Sequence, residues 1–342
     1  MEITKELKQE LISELKVLFS NQKKYLLDNF QKLQGADTES FSFILSLDSQ
    51  AIPLIFRVYR ELSDRAENEF KTLKSLFNAN FSVPEPLLWN KASPVLSRSY
   101  LVMKKVPGVL LSDYYRQITS ENEKNKLLSD FIQVLVDIHK FNWRNNFDYL
   151  QKPDLASNPY ILVDNLISFP RKMIIENKII ELSHLIEWFE KNKVRSEKLS
   201  LLHGDFHMNN IIVTPNGKIV VIDWANIKLG DFRHDLGFTI VAASSTGEDA
   251  SKKFIELYQS FSWEKVHDIE YFMILSVLHN ILRCYSALIN PRITNETEFT
   301  KKMFLKTYQP YTRYLVKITE KITGIYLRTL DNALTSYNPN FD

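Results

Sequence analysis

The chain has 342 residues, 44% of them hydrophobic and 25% charged, an ordinary globular composition with enough apolar side chains for one large core or two lobes. Forty-three Lys and Arg against 41 Asp and Glu leave a net charge of +2, without the concentrated basic excess of a nucleic-acid binder. No apolar run of membrane-spanning length and no signal-peptide core is expected, and the single cysteine, Cys284, excludes an internal disulfide, so the chain reads as cytoplasmic with no membrane partner.

Ile3, Leu7, Leu11, Leu15 and Leu18 recur at helical spacing and predict an opening amphipathic helix. Phe41 to Leu47 and Ile52 to Tyr59 then read as two strands of a hairpin. Ser63 or Asp64 can cap a following helix with Phe70, Leu73, Leu76 and Phe77 facing inward. Beyond Val83-Pro84-Glu85-Pro86 come two more strand-like runs, Pro86 to Trp89 and Tyr100 to Lys104. Long helical patterns dominate from Leu111 onward, and Cys284 sits in one of them as a core filler. The clear β signal there is Ile211 to Trp224, where Pro215-Asn216-Gly217 separates two apolar runs as a hairpin turn would. A β-rich front over 1–105 and a helical remainder over 106–342 thus meet near Val106-Pro107-Gly108.

Only eight glycines occur, about a third of the number expected at roughly 7% usage. Such sparing use keeps glycine where the backbone needs it, and four of the eight fall between Gly204 and Gly237.

That stretch holds the densest chemical signal, Leu202 to Asp223, LHGDFHMNNIIVTPNGKIVVID. Phosphoryl transfer needs a carboxylate to orient or deprotonate the attacking hydroxyl, ligands for Mg²⁺, and cations on the phosphates. His203-Gly204-Asp205 sits on a loop, Asn210 follows five residues after Asp205, and the hairpin returns Asp223 to the same neighbourhood. A carboxylate and an amide oxygen are hard ligands suited to Mg²⁺, which leaves Asp205 as the base. Each residue alone would read as a turn former, since Asp and Asn are common in turns. The combination is much rarer.

The segment resembles the aminoglycoside phosphotransferase and choline kinase superfamily, relatives of the protein kinases. The family pattern is close to H-G-D-L-H-P-G-N followed by V-I-D-W; this chain has His203-Gly204-Asp205-Phe206-His207-Met208-Asn209-Asn210, then Val221-Ile222-Asp223-Trp224. Leu229-Gly230-Asp231 through Asp235-Leu236 is similar to a third family motif. The resemblance implies an α+β, bilobal, protein-kinase-like fold: a small N lobe with an antiparallel sheet and one helix, and a larger, mainly helical C lobe. It implies Asp205 as catalytic base, Asn210 and Asp223 as metal ligands and Asp235 as a brace of the catalytic loop, with ATP and Mg²⁺ as cofactors.

Weaker matches follow in order. Gly35 to Ser40 resembles the loop over the ATP phosphates, with the Thr38 and Ser40 hydroxyls in it. Phe56-Arg57-Val58 matches the strand that normally carries a phosphate-binding lysine; alternation puts Leu54, Phe56 and Val58 on one face and Arg57 on the other. Glu69 resembles the helix glutamate that pairs with that cation, with Glu67 as its rival. Met103, Lys104 and Val106 fall where the hinge would hold adenine, His207 is placed to reach the transferred phosphate or to pack, and His139 matches a family helix histidine expected to pack. Eleven residues separate Asp223 from Asp235, too few for a peptide-binding platform, so the expected partner is a small hydroxylated acceptor. From Trp224 to Asp342, 14 Lys and Arg against 13 Asp and Glu give no acidic excess for a polycationic acceptor. The alternative is a kinase-like module that binds nucleotide without turnover.

Overall fold

The computed structural model describes every residue except 34–37, 60–63, 246–248, 291–297 and 336–342, and of 298–307 the backbone alone. Gly35 to Asp37 of the expected phosphate loop, and the cap residue Ser63, therefore lie outside the described residues. In chain order the elements are α1 (Lys5–Leu18), β1 (Leu26–Leu33), β2 (Thr38–Ser46), β3 (Ala51–Tyr59), α2 (Arg65–Asn78), β4 (Pro86–Asn90), β5 (Tyr100–Lys104), β6 (Val109–Leu110) and α3 (Leu111–Gln117). There follow α4 (Glu121–Lys140), α5 (Ile161–Glu176), α6 (Ile180–Lys191), β7 (Ser200–Leu202), β8 (Ile211–Val213), β9 (Ile219–Val221) and β10 (Lys228–Gly230). The chain closes with α7 (Phe232–Ser244), α8 (Ser251–Ser262), α9 (Ile269–Leu288), α10 (Glu298–Thr323) and α11 (Arg328–Thr335). Two compact units result, one of Met1–Thr119, Arg144–Tyr149 and Met208–Ile227, the other of Ser120–Trp143, Leu150–His207 and Lys228–Asp342.

The first unit is built on an antiparallel sheet in the order β1-β2-β3-β5-β4. Strand alternation sends Leu54, Phe56 and Val58, with Phe41, Phe43, Tyr100 and Val102, to one face. Leu7, Leu11 and Leu15 of α1 cover that face. The helix starts where the Thr4 hydroxyl accepts the Leu7 N–H. Each leucine is fully buried, worth about 1.5–3 kcal/mol of transfer free energy, so Leu11→Ala would cost about 2–5 kcal/mol with its cavity. Leu18, expected in the stripe, is exposed at the last turn.

Strand β1 was not expected. Only Leu27 of its residues is buried, it lies at the sheet edge, and a bulge between Asp28 and Gln31 breaks its alternation. In α2 the buried stripe is Ala66, Glu69, Thr72, Leu73 and Leu76, while Phe77, expected inside, is exposed. Asp64 occupies the N-cap position without a side-chain cap; its carboxylate pairs with Lys91 at 3.0 Å. A second sheet, β6-β8-β9, completes the unit. Gly108 leads into β6 at φ +139°, and a Cβ there would meet the Val213 carbonyl oxygen at 2.2 Å. The close pass fits glycine alone.

The second unit is helical around α9, whose residues are mostly buried. By length and composition α9 could cross a membrane, contrary to the expectation that no run is long enough; here it is a core helix, 78% buried over its most apolar stretch. Helix α7 packs on it at Gly237, where a Cβ would stand 2.8 Å from the Phe272 carbonyl carbon and 2.9 Å from the Met273 nitrogen. Cys284 is buried beside Thr312, as a core filler would be. Strands β7 and β10 pair antiparallel, Leu202 opposite Lys228.

Candidate active site

In the first unit, the sheet face away from α1 carries the polar residues. Ser40 lies opposite Arg57 and Thr38 opposite Tyr59 in the β2–β3 register, so all four share one face. The Thr38 and Ser40 hydroxyls are 3.5 Å apart. Arg57 donates from one guanidinium nitrogen to Glu69 at 2.7 Å and to Asp223 at 2.8 Å. Glu69 is only 1% exposed, and its other oxygen accepts the Tyr59 hydroxyl. Burial alone would lower the Arg57 pKa, but Glu69 and then Asp223 more than offset this and hold it above its ordinary value. Burial, then Glu69, raises the Tyr59 pKa well above the ordinary phenol value. The Arg57 Nε is buried without a hydrogen-bond partner among the described residues. Glu67 instead pairs with Lys71, one turn on.

The hairpin brings Asn210 beside Asp223. Ile211 pairs with Val221, and the Ile222 N–H donates to the Asn210 carbonyl at 2.9 Å, one residue before Asp223. The turn closes through Gly217, whose N–H donates to the Thr214 carbonyl. Asp223 itself has φ +64°, a left-handed conformation that Asp adopts more readily than most residues. Trp224, fully buried, donates its indole N–H to the Val221 carbonyl and anchors the turn after it.

At the expected hinge, Met103 is buried in β5, and the Lys104 ammonium pairs with Glu85 at 2.6 Å. The Lys104 N–H donates to the Glu85 carbonyl and the Lys105 N–H to the Pro53 carbonyl, each at 2.9 Å. Val106 is the next residue with an amide donor. An open hollow of about 500 Å³ lies against α2, lined by Phe70, Lys74, Asn78, Asn146 and Tyr149; none of the candidate residues lines it.

In the second unit, the loop after β7 is held by one buried carboxylate. Asp235 accepts the His203 N–H at 2.7 Å and the Gly204 N–H at 3.0 Å, and His139 Nε2 stands 3.5 Å from it. Burial pushes the Asp235 carboxyl up, but the nearby His139 ring, and after it His203, override that and bring it down to about 2. The other His139 ring nitrogen shares a hydrogen bond with the Tyr258 hydroxyl at 2.8 Å, so this histidine braces as well as packs. His203 Nδ1 accepts the Asp205 N–H at 3.3 Å, and Phe206 stacks on Phe131. The Asp205 side chain remains partly exposed, with His207 Nε2 3.5 Å from its Oδ1. Asp231 caps α7 and locks Arg233, which lies 4.3 Å over the Phe272 ring, so the third motif is structural. The candidates thus gather in two groups, Arg57, Glu69, Asn210 and Asp223 in one unit, Asp205 and His207 in the other. Tyr59 escaped the sequence reading, although its place two residues beyond Arg57 on the same strand face was a usable signal.

A family model described as the phosphotransferase enzyme family matches residues 34–269. Among curated proteins, acyl-CoA dehydrogenase family member 11 is 26% identical over 50% of this chain in Homo sapiens and 28% identical over 57% in Mus musculus. The matched stretches are only 22% and 25% of those proteins' length. An uncharacterized protein of Bacillus subtilis (strain 168), YcbJ, is 21% identical over 67% of this chain and 76% of its own. Among solved structures, spectinomycin phosphotransferase APH(9)-Ia with ADP and spectinomycin superposes at TM-score 0.60 and 17% identity, covering 91% of this chain and 96% of that one. Choline kinase LicA from Streptococcus pneumoniae does so at 0.57 and 13%, covering 91% and 99%. The fold is therefore that of the kinase-like phosphotransferases, with its antiparallel sheet in the N-terminal part. With the family match spanning more than half of its length, the chain belongs to the phosphotransferase enzyme family.

Proposed function

We propose that this chain transfers the γ-phosphoryl group of ATP to a hydroxyl of a small molecule. The acceptor oxygen bonds to the γ-phosphorus, the bond to the β–γ bridging oxygen breaks, ADP leaves, and the hydroxyl proton passes to Asp205. The observation that carries this reading is Arg57, a buried guanidinium held between Glu69 and Asp223 on the strand face that also bears Ser40. Its unpartnered Nε is a donor that a phosphate oxygen would satisfy. Asn210 and Asp223 fit Mg²⁺: they offer one amide and one carboxylate oxygen from adjacent hairpin positions, and Mg²⁺ takes its remaining ligands from phosphates and water. Bound there, Mg²⁺ would neutralise phosphate charge as the transfer proceeds. Glu69 positions Arg57, Asp235 positions the loop that presents Asp205, and the Val106 N–H is the hinge donor offered to adenine.

The relatives' dehydrogenase name is not carried over, because the matched stretch is about a quarter of those proteins. The spectinomycin and choline in the neighbours' names belong to those proteins. The test uses labelled ATP with a pool of hydroxylated metabolites and, separately, a pool of generic proteins. Label is expected in the small-molecule fraction and lost in Asp205→Ala, with ATP binding kept. Label confined to protein would refute the acceptor class. Nucleotide binding without turnover by the parent enzyme would make the chain a non-catalytic module.

A further inference from the structure

An arginine side chain has five N–H donors in a planar fork, and Arg57 uses only those of one nitrogen. Nη1 donates to Glu69 Oε1 at 2.7 Å and to Asp223 Oδ1 at 2.8 Å. Nε is buried without a partner, and no hydrogen bond or ion pair among the described residues reaches Nη2. Two carboxylates therefore share one corner of the guanidinium and leave its Nε–Nη2 edge open. Such an edge fits two oxygens of one phosphate.

The stronger pairing of an arginine with a carboxylate is bidentate, both oxygens on two guanidinium nitrogens. Glu69 does not make it. This carboxylate is buried, so each of its oxygens needs a donor from the protein. Oε1 has Arg57 Nη1, and Oε2 has the Tyr59 hydroxyl. Without that hydroxyl, the unused donors at hand for Oε2 are those of Arg57 itself. Glu69 would then turn to a two-pronged grip and take up part of the open edge, because a buried acceptor left unpaired is costly. It cannot retreat to water, since the α2 face that carries it also buries Ala66, Thr72, Leu73 and Leu76.

Tyr59 is held where it can play this part. It is the last residue of β3, two beyond Arg57 and on the same sheet face. Its ring is buried, and its backbone N–H donates to the Ser99 carbonyl at 3.0 Å. Across the β2–β3 register, Thr38 lies opposite Tyr59 and Ser40 opposite Arg57, so the hydroxyls and the open edge share one face. Burial, and after it Glu69, keep the phenol protonated, and it remains a donor.

From this arrangement we infer that Tyr59 is a positioning residue for nucleotide binding: by occupying the second oxygen of Glu69 it confines the Arg57–Glu69 pair to one guanidinium nitrogen and keeps the Nε–Nη2 edge free for phosphate. The inference rests on the phosphotransferase reading for what binds the edge, and on the hydrogen bonds alone for how the edge is kept open. It also ties Tyr59 to the choice of arginine at position 57. A lysine ammonium has no edge to protect, so with lysine there the Tyr59 hydroxyl would be dispensable for phosphate binding.

The test is a binding cycle on the full chain, read without turnover. ATP, inorganic tripolyphosphate and adenosine are titrated against the parent, Tyr59→Phe, Arg57→Lys and the double variant. Tyr59→Phe should weaken ATP and tripolyphosphate about tenfold, the worth of one charge-assisted hydrogen bond, and leave adenosine unchanged. In the Arg57→Lys background the same change should weaken them less than about twofold. Equal weakening of ATP and adenosine would reduce Tyr59 to a packing residue. Unchanged ATP binding, or the full loss in the Arg57→Lys background, would also overturn the proposal. The Arg57 guanidinium N–H signals in NMR give a second reading that needs no ligand. They should move in unliganded Tyr59→Phe as Glu69 closes on the fork, and unmoved signals overturn the positioning role. If the parent binds neither ATP nor tripolyphosphate, the phosphotransferase reading fails, and the guanidinium signals alone decide whether Tyr59 governs the grip of Glu69 on Arg57.

Discussion

Removing the Glu69 carboxylate is the most informative perturbation of the nucleotide side. Glu69→Ala strips Arg57 of its buried partner at 2.7 Å and leaves the Tyr59 hydroxyl without its acceptor. At a charge separation of about 4 Å and an effective dielectric near 20, the lost attraction is ~4 kcal/mol. The orphaned Tyr59 hydroxyl adds about 1–3 kcal/mol. Asp223 remains as a counter-charge for Arg57, but its side chain is 41% exposed and returns less than about 1 kcal/mol. The lost carboxylate also no longer has to be desolvated, so the net expectation is about 3–5 kcal/mol, the usual cost of breaking a buried pair from one side. Urea unfolding would read this as a lower midpoint at unchanged slope. A double variant, Arg57→Met with Glu69→Met, should recover much of the loss, because apolar side chains of similar volume replace a buried pair at little cost. In the folded variant the KM for ATP should rise and kcat fall, since a freed Arg57 no longer holds its place against the phosphates. A Glu69→Ala loss below about 1 kcal/mol, with no recovery in the double variant, would refute the clamp.

Asp223→Ala and Asp223→Asn should both weaken Mg²⁺-nucleotide binding and lose the charge that faces Arg57, but Asn should tolerate φ +64° better; equal effects of both on thermal stability would show that the left-handed backbone there costs alanine nothing extra. His207 stands 3.5 Å from Asp205, so if it assists transfer, His207→Gln should lower kcat with little change in the KM for ATP; unchanged kinetics would leave it a packing role. Burial holds the His234 pKa down at about 3, below the ordinary 6.5, so the unfolded chain binds that proton first. The stability this gives is complete above about pH 6.5 and is lost as pH falls toward 3, and His234→Asn should flatten the acid limb of the unfolding midpoint across that window.

What could be read from the sequence followed periodicity and spacing. Strand alternation put Arg57 opposite Leu54, Phe56 and Val58, and the Pro215-Asn216-Gly217 turn implied the return that sets Asn210 beside Asp223. Glu69 against Glu67 was settled only by the helix's rotation on the sheet, which buries one and leaves the other to pair with Lys71. Strands β7 and β10 are three residues each, too short to carry a period, so nothing announced that Lys228 would lie across from Leu202. Edge strand β1 was missed because one buried leucine in eight residues leaves no alternation to detect.

Gly237 has a consequence for inheritance and engineering. It has no contact with nucleotide or acceptor in the reading above, yet any larger residue would drive α7 away from the α9 backbone, 2.8 Å from where its Cβ would stand. Asp235 lies two residues earlier on the same helix, with its oxygens on the His203 and Gly204 amides. A substitution at Gly237 would therefore surface as a heat-sensitive loss of turnover, with the reactive carboxylate chemically intact and merely presented at the wrong place.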